Sequence, residues 1–282
     1  MSLTPLSEPE PLNSARTKTP ADPQPVRSGC VTRREALKTA LALASSVVFF
    51  GFTPAKQEAS VAGMDLPDGY DPHEHYYGYG IDIDKCIGCG RCADACKTEN
   101  GVSRTEPNYR TWVERYIIRT DGEVEVCSPN GGIDPFPPID DPDSVSKTFF
   151  VPKMCSHCER SPCEQVCPVG ATFVTPDGVI LIDKKYCIGC GYCIQACPYG
   201  CRYFNEETHT ADKCTLCYHR ITRGLRPACA EVCPTGARVF GDLRDKDGPL
   251  VQFIRENKVE VLKPAMATRP KLFYHDLDKD VR

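Results

Sequence analysis

The stretch YCIGCGYCIQACPYG, residues 186–200, separates its four cysteines by two, two and three residues and follows the last with a proline. A closed tetrahedral site drawn from one loop this short would be crowded by its own backbone. Four thiols so close together therefore imply more than one metal centre.

The same plan recurs along the chain, and internal repetition is read first. Sixteen of the 19 cysteines fall into four groups. They are Cys86, Cys89, Cys92 and Cys96 in CIGCGRCADAC; Cys155, Cys158, Cys163 and Cys167 in CSHCERSPCEQVCP; Cys187, Cys190, Cys193 and Cys197 in the opening stretch; and Cys214, Cys217, Cys229 and Cys233 in CTLCYHRITRGLRPACAEVCP. Each begins Cys-x-x-Cys and ends Cys-x-x-x-Cys, and only the middle spacing varies. Disulfide frameworks use spread spacings rather than this density of close pairs. Structural zinc joins two distant Cys-x-x-Cys knuckles, which suits the stretched fourth group taken alone. The compact first and third groups carry instead the iron-sulfur run, in which three thiolates hold one cubane and the fourth, carried off by a short helix and turned by proline, ligates the other cluster of a pair. Four groups thus make two pairs and four [4Fe-4S] clusters.

Spacing alone leaves the pairing ambiguous, and chain order narrows it. Groups two and three are neighbours joined by a short apolar strand, GVILID, so groups one and four pair across them. The expected sets are Cys86, Cys89, Cys92 and Cys233 for cluster A; Cys214, Cys217, Cys229 and Cys96 for cluster B; Cys155, Cys158, Cys163 and Cys197 for cluster C; and Cys187, Cys190, Cys193 and Cys167 for cluster D. The glycines at 88, 90, 189 and 191 either let backbone N–H groups approach the sulfur atoms or serve tight turns.

Strand-like stretches flank the runs: YGYGIDID, FFVPKM, GVILID and CRYF. The expected fold is α+β and tandem ferredoxin-like, with two dicluster units of small sheets and short helices around four cubanes. Its divisions are an outer unit at 63–101 with 205–243, an inner unit at 151–204, an insertion at 102–150 and a C-terminal arm at 244–282. Within the insertion, TWVERYIIRTDGEVEV reads as a hairpin turning in two residues at Asp121-Gly122, followed by a Pro/Gly/Asp-rich loop. Cys127 and Cys201 are read as small buried apolar residues. His73 and His75 could bind metal but suit a solvated stretch, and His157 and His219 could tune cluster potentials.

At the start, residues 1–62 read as a flexible tail and an export signal. Arg33 and Arg34 precede an apolar run from Ala40 to Phe52 and small residues at 60–63, the order of a twin-arginine signal. Thirteen residues are too few to span a bilayer, which takes about 20. Cleavage after Ala62 would leave a net charge of -6, from -4 for the whole chain, and remove Cys30. No later stretch is long and apolar enough to span a membrane. An acidic balance without a basic stripe speaks against nucleic acid as a partner. No covalent haem motif, dinucleotide fingerprint, phosphate loop or catalytic triad stands out.

With all sixteen cysteines in this order, and the fourth group stretched as ADKCTLCYHRITRGLRPACAEVCPTGARVFGDL, the chain resembles the four-cluster electron-transfer subunits of the polysulfide, tetrathionate, nitrite and DMSO reductase type over about Tyr77 to Leu243. Its twin-arginine signal, YGYGIDIDKCIGCGRCADACKTEN and RTWVERYII are most similar to the periplasmic iron-sulfur subunit of the Dsr membrane complex, linked to dissimilatory sulfite reductase. The resemblance implies the same cluster sharing, a quinone-interacting integral membrane subunit of the polysulfide reductase type as partner, and a cytochrome or other redox subunit. It implies a periplasmic electron-transfer component with no catalytic residue of its own. A catalytic iron-sulfur subunit with an open iron, and a structural zinc scaffold, are the alternatives of other classes.

Overall fold

Loops that must wrap metal centres leave little chain for long elements. In the computed structural model, which describes residues 66–281, the order is β1 (Tyr77–Asp82), α1 (Arg91–Asn100), β2 (Thr111–Arg119), β3 (Val124–Cys127), β4 (Val145–Met154), α2 (Pro162–Gln165), β5 (Thr172–Val174), β6 (Ile180–Ile182), α3 (Tyr192–Gln195), β7 (Arg202–Asn205), β8 (Thr210–Lys213), α4 (Tyr218–Ile221), α5 (Ala228–Glu231), β9 (Arg238–Asp242), α6 (Pro249–Glu256), β10 (Val259–Glu260) and β11 (Leu272–His275). The strands form sheets ordered β10-β11-β1-β9, β3-β2-β4, β5-β6 and β7-β8, the α+β arrangement expected. Arg33 and Arg34, the expected signal and Cys30 lie outside the described residues.

Strand β1 is buried on both faces, and its alternation of large and minimal residues explains how. Tyr77, Tyr79 and Ile81 enter the main core, while Gly78 and Gly80 face α6. A Cβ on Gly80 would stand 2.7 Å from the Phe253 ring, so the helix seats only because that side chain is absent. Helix α6 buries Leu250 and Phe253 there.

The expected C-terminal arm is corrected, and the expected insertion proves firmly anchored. The stretch from 244 onward is no arm: β11 pairs in parallel with β1, Tyr79 opposite Leu272 and Ile81 opposite Tyr274, and Leu272 and Tyr274 are fully buried. A parallel partner needs a long crossover, which local periodicity cannot reveal. Residues 102–150 do not hang off the body either, because β2 pairs with β4 over nearly its whole length and places Val113 and Tyr116 in the main core. The hairpin turns in three residues rather than two: Arg119 N–H donates to Glu123 O at 2.8 Å, and Gly122 sits at φ 89. A type I turn closed by a left-handed glycine matches strand twist as well as a two-residue turn does.

The helices next to the cysteines pack in pairs. Helix α1 of group one lies against α5 of group four, and α2 of group two against α3 of group three.

Candidate metal centres

Cavities lined by cysteine follow from these helix pairs. Cys86, Cys89, Cys92 and Cys233 line one with about 330 Å³ free of protein atoms. Cys96, Cys214, Cys217 and Cys229 line a second of about 260 Å³, and Cys155, Cys158, Cys163 and Cys197 a third of about 310 Å³. In each, one thiol comes from a different group from the other three. The remaining four match the first set in exposure: Cys193 is buried, Cys167 and Cys187 are half-buried and Cys190 is exposed. Cys187 and Cys193 share a small apolar cluster with Cys163, and Cys167 follows α2, which packs on α3.

Adjacent sets lie within electrostatic reach in one order. Cys92 of the first set meets Cys229 of the second, Cys214 meets Cys155 of the third, and Cys163 meets Cys193 of the fourth. The middle sets are the shielded ones. At the ends of the row Ile87 is 59% exposed beside the first set, and Tyr186, Ile188 and Tyr192 are 66%, 64% and 58% exposed beside the last.

Local sequence explains how the thiols are aimed. Cys167, Cys197 and Cys233 each precede Pro-x-Gly, and Gly170, Gly200 and Gly236 take nearly equal left-handed φ of 65, 63 and 67. That reversal turns backbone N–H groups onto the sulfur. Burial opposes it, yet N–H groups of Thr172, Val169, Ala171 and Gly170 hold Cys167 below the usual thiol range, and the Thr235 side chain with the N–H groups of Thr235, Arg238 and Ala237 does the same for Cys233. Cys96 lacks the proline, so α1 runs on to Asn100, whose side-chain amide approaches Cys96 Sγ at 3.5 Å and Cys217 Sγ at 3.6 Å. A side chain there does what the backbone does elsewhere.

The donor set fits an iron-sulfur group. Burial pushes the Cys86 and Cys158 thiols up to about 11 and raises Cys96 and Cys214 as well, so these sulfurs stay protonated until a cation displaces the proton. Nε and Nη2 of buried Arg202 find no acceptor on the protein, although the side chain lines the third cavity. Cluster sulfur would supply one.

The other candidates have partners of their own. His75 stacks between Tyr70 and Tyr77 and bonds Asp242 at 2.8 Å, and His219 pairs with Glu99 at 2.7 Å. His157 is fully buried, accepts the Ile180 N–H on Nδ1, and is held well below the usual imidazole range by burial and by Lys213, Lys271 and Arg202. Cys127 ends β3, half-buried. Cys201, fully buried as expected, has a further role. Its thiol donates to Met154 O at 3.0 Å and lies near enough to Cys197 to hold that thiol down, at about 6. With one proton to give, it favours the thiolate, because charge-assisted bonds are about twice as strong as neutral ones. Cys201→Ala is expected to lower the midpoint potential of cluster C alone, since the lost donor stabilises the more negative, reduced state; EPR-monitored redox titration checks it.

Comparison with known proteins bears out the iron-sulfur reading. Residues 85–171 and 146–243 each match a 4Fe-4S dicluster domain. A subunit of the tetrathionate reductase of Salmonella typhimurium is 38% identical over 231 residues, covering 81% of this chain and 79% of that one. A tetrathionate reductase subunit of Archaeoglobus fulgidus is 43% identical over 201 residues, 71% and 82% of the two chains. A component of the polysulfide reductase of Wolinella succinogenes is 34% identical over 198 residues, 70% and 92%.

Proposed function

This protein belongs to the family of 4Fe-4S dicluster iron-sulfur subunits of reductase complexes, and on that premise we propose that it relays electrons along four clusters, A to D, within a tetrathionate- or polysulfide-linked respiratory complex. The observation that carries this reading is the single row of thiol sets with shielded middle and accessible ends. Each bound cubane takes up and returns one electron, and the chain itself acts by holding, spacing and insulating. Apolar Ile87 at one end and Tyr186, Ile188 and Tyr192 at the other give redox partners a surface to meet.

The relatives favour a tetrathionate- or polysulfide-type system over the Dsr-linked one. One partner is then a quinone-interacting integral membrane subunit, and the other a redox subunit at the opposite end. Among the described residues no helix is long and apolar enough to cross a membrane. We assign the sixteen cysteines to clusters A–D as chain order pairs them, and the location to the periplasm. Clusters assembled in the cytoplasm would survive a route for folded proteins, with their thiolates shielded from oxidants.

The relay is tested by adding a quinol to membranes carrying the complex and following cluster reduction by EPR. Reduction of all four clusters supports it, and oxidised clusters beside an active membrane subunit overturn it. Changing Arg33 and Arg34 together to lysine is expected to abolish export, with the protein recovered from the cytoplasmic fraction and its iron retained; undiminished periplasmic protein would refute the assignment.

A further inference from the structure

Three cations lie buried between thiol sets, Arg238, Lys213 and Arg202, at 3%, 1% and 5% exposure, and a further one, Lys271, lies beside the third set alone. Among the described residues none has a carboxylate at ion-pair distance. By contrast Arg110, which lines the second cavity, is paired with Asp212 at 3.0 Å. Burying an unpaired charge costs several kcal/mol unless an anion nearby compensates it.

Their positions are not scattered. Arg238 lines the first cavity, and its guanidinium donates to Thr111 Oγ1 at 2.8 Å and Met154 Sδ at 3.6 Å, both of which line the second. Lys213 Nζ is held by the carbonyls of Cys214, at 2.7 Å, and Ile180. The first residue lines the second cavity and the other the third. Arg202 lines the third cavity, donates to Thr172 Oγ1 at 3.2 Å and interacts with Cys193 of the fourth set. Each gap in the row thus holds one cation, and two of the three occupy the same place in a repeated stretch, CPYGCR at 197–202 and CPTGAR at 233–238.

We propose that Arg238, Lys213 and Arg202 set the potentials of the relay, each stabilising an added electron on either of the two clusters that flank it. The proposal rests on the four-cluster reading. One electron entering a cluster adds one negative charge, and Coulomb attraction falls with distance, so a gap cation acts most on its immediate neighbours. Clusters B and C feel two such charges, and A and D one. Electrons are thereby held in the shielded middle of the row.

The test is EPR-monitored redox titration of the full holoprotein, with iron and sulfide counted in every sample. Arg238→Gln is expected to lower the midpoint potentials of A and B, Lys213→Met those of B and C, and Arg202→Gln those of C and D, leaving the other pair in place. Arg238→Lys and Arg202→Lys keep the charge and are expected to stay near the parent values. Iron loss in a Gln variant whose Lys counterpart stays loaded also supports a requirement for charge. Unmoved potentials in loaded neutral variants, equal shifts of all four clusters, or equal iron loss in the Lys and Gln forms would overturn the proposal. A parent protein without four clusters would instead defeat the relay itself.

Discussion

Replacing Cys96 and Cys214 together by alanine is expected to cost one cluster, whereas replacing Cys92 and Cys96 together disturbs two. Cys92 and Cys96 are one helical turn apart on α1, yet the first lines the cavity of Cys86, Cys89 and Cys233 and the second that of Cys214, Cys217 and Cys229. Sequence neighbours thus line different cavities, and residues more than a hundred positions apart line the same one. The first double variant should lose the EPR signal of one cluster and keep about twelve of sixteen irons, whereas the second should alter the signals of two clusters, each left with three thiolates and up to three irons. Iron analysis with EPR checks it. The same number of altered clusters in the two double variants would contradict the crossed pairing.

Removing the clusters is expected to unfold the chain. Cys92, Cys155, Cys214 and Cys229 belong to the main apolar core together with Tyr79, Val113 and Leu272, so the ligands are core residues rather than an appendix to it. Metal binding at a structural site is worth about 10 kcal/mol or more, comparable with the whole stability of an ordinary domain, about 5–15 kcal/mol. After iron is stripped by chelator and oxidant, far-UV circular dichroism should lose its strand and helix signal, and the cooperative melt should disappear. A stripped chain that still melts cooperatively near the parent temperature would show that apolar burial suffices.

What the sequence discloses depends on how local the cause is. The cysteine groups, the flanking strands and the α+β class are written in short spacings, and the three cavities gather the thiols that chain order had paired. The parallel pairing of β11 with β1 was hidden because LFYH carries no signal of a partner almost two hundred residues away. Asn100 was missed although its cause is visible: Cys96 is followed by lysine where the other groups have proline, so the helix continues. Two of the three gap cations, Arg202 and Arg238, were equally readable in the repeated Cys-Pro-x-Gly-x-Arg of groups three and four, with Thr172 in the matching place of group two. The three-residue hairpin turn differs from the expected one by a single position, a choice that Asp-Gly leaves open.

Iron and acid-labile sulfide per chain, measured on protein purified anaerobically together with EPR of the dithionite-reduced state, tests the four-cluster relay most directly. About sixteen of each, with a broad signal from interacting neighbours, is the expected result. Zinc in place of iron, with no sulfide, would contradict it.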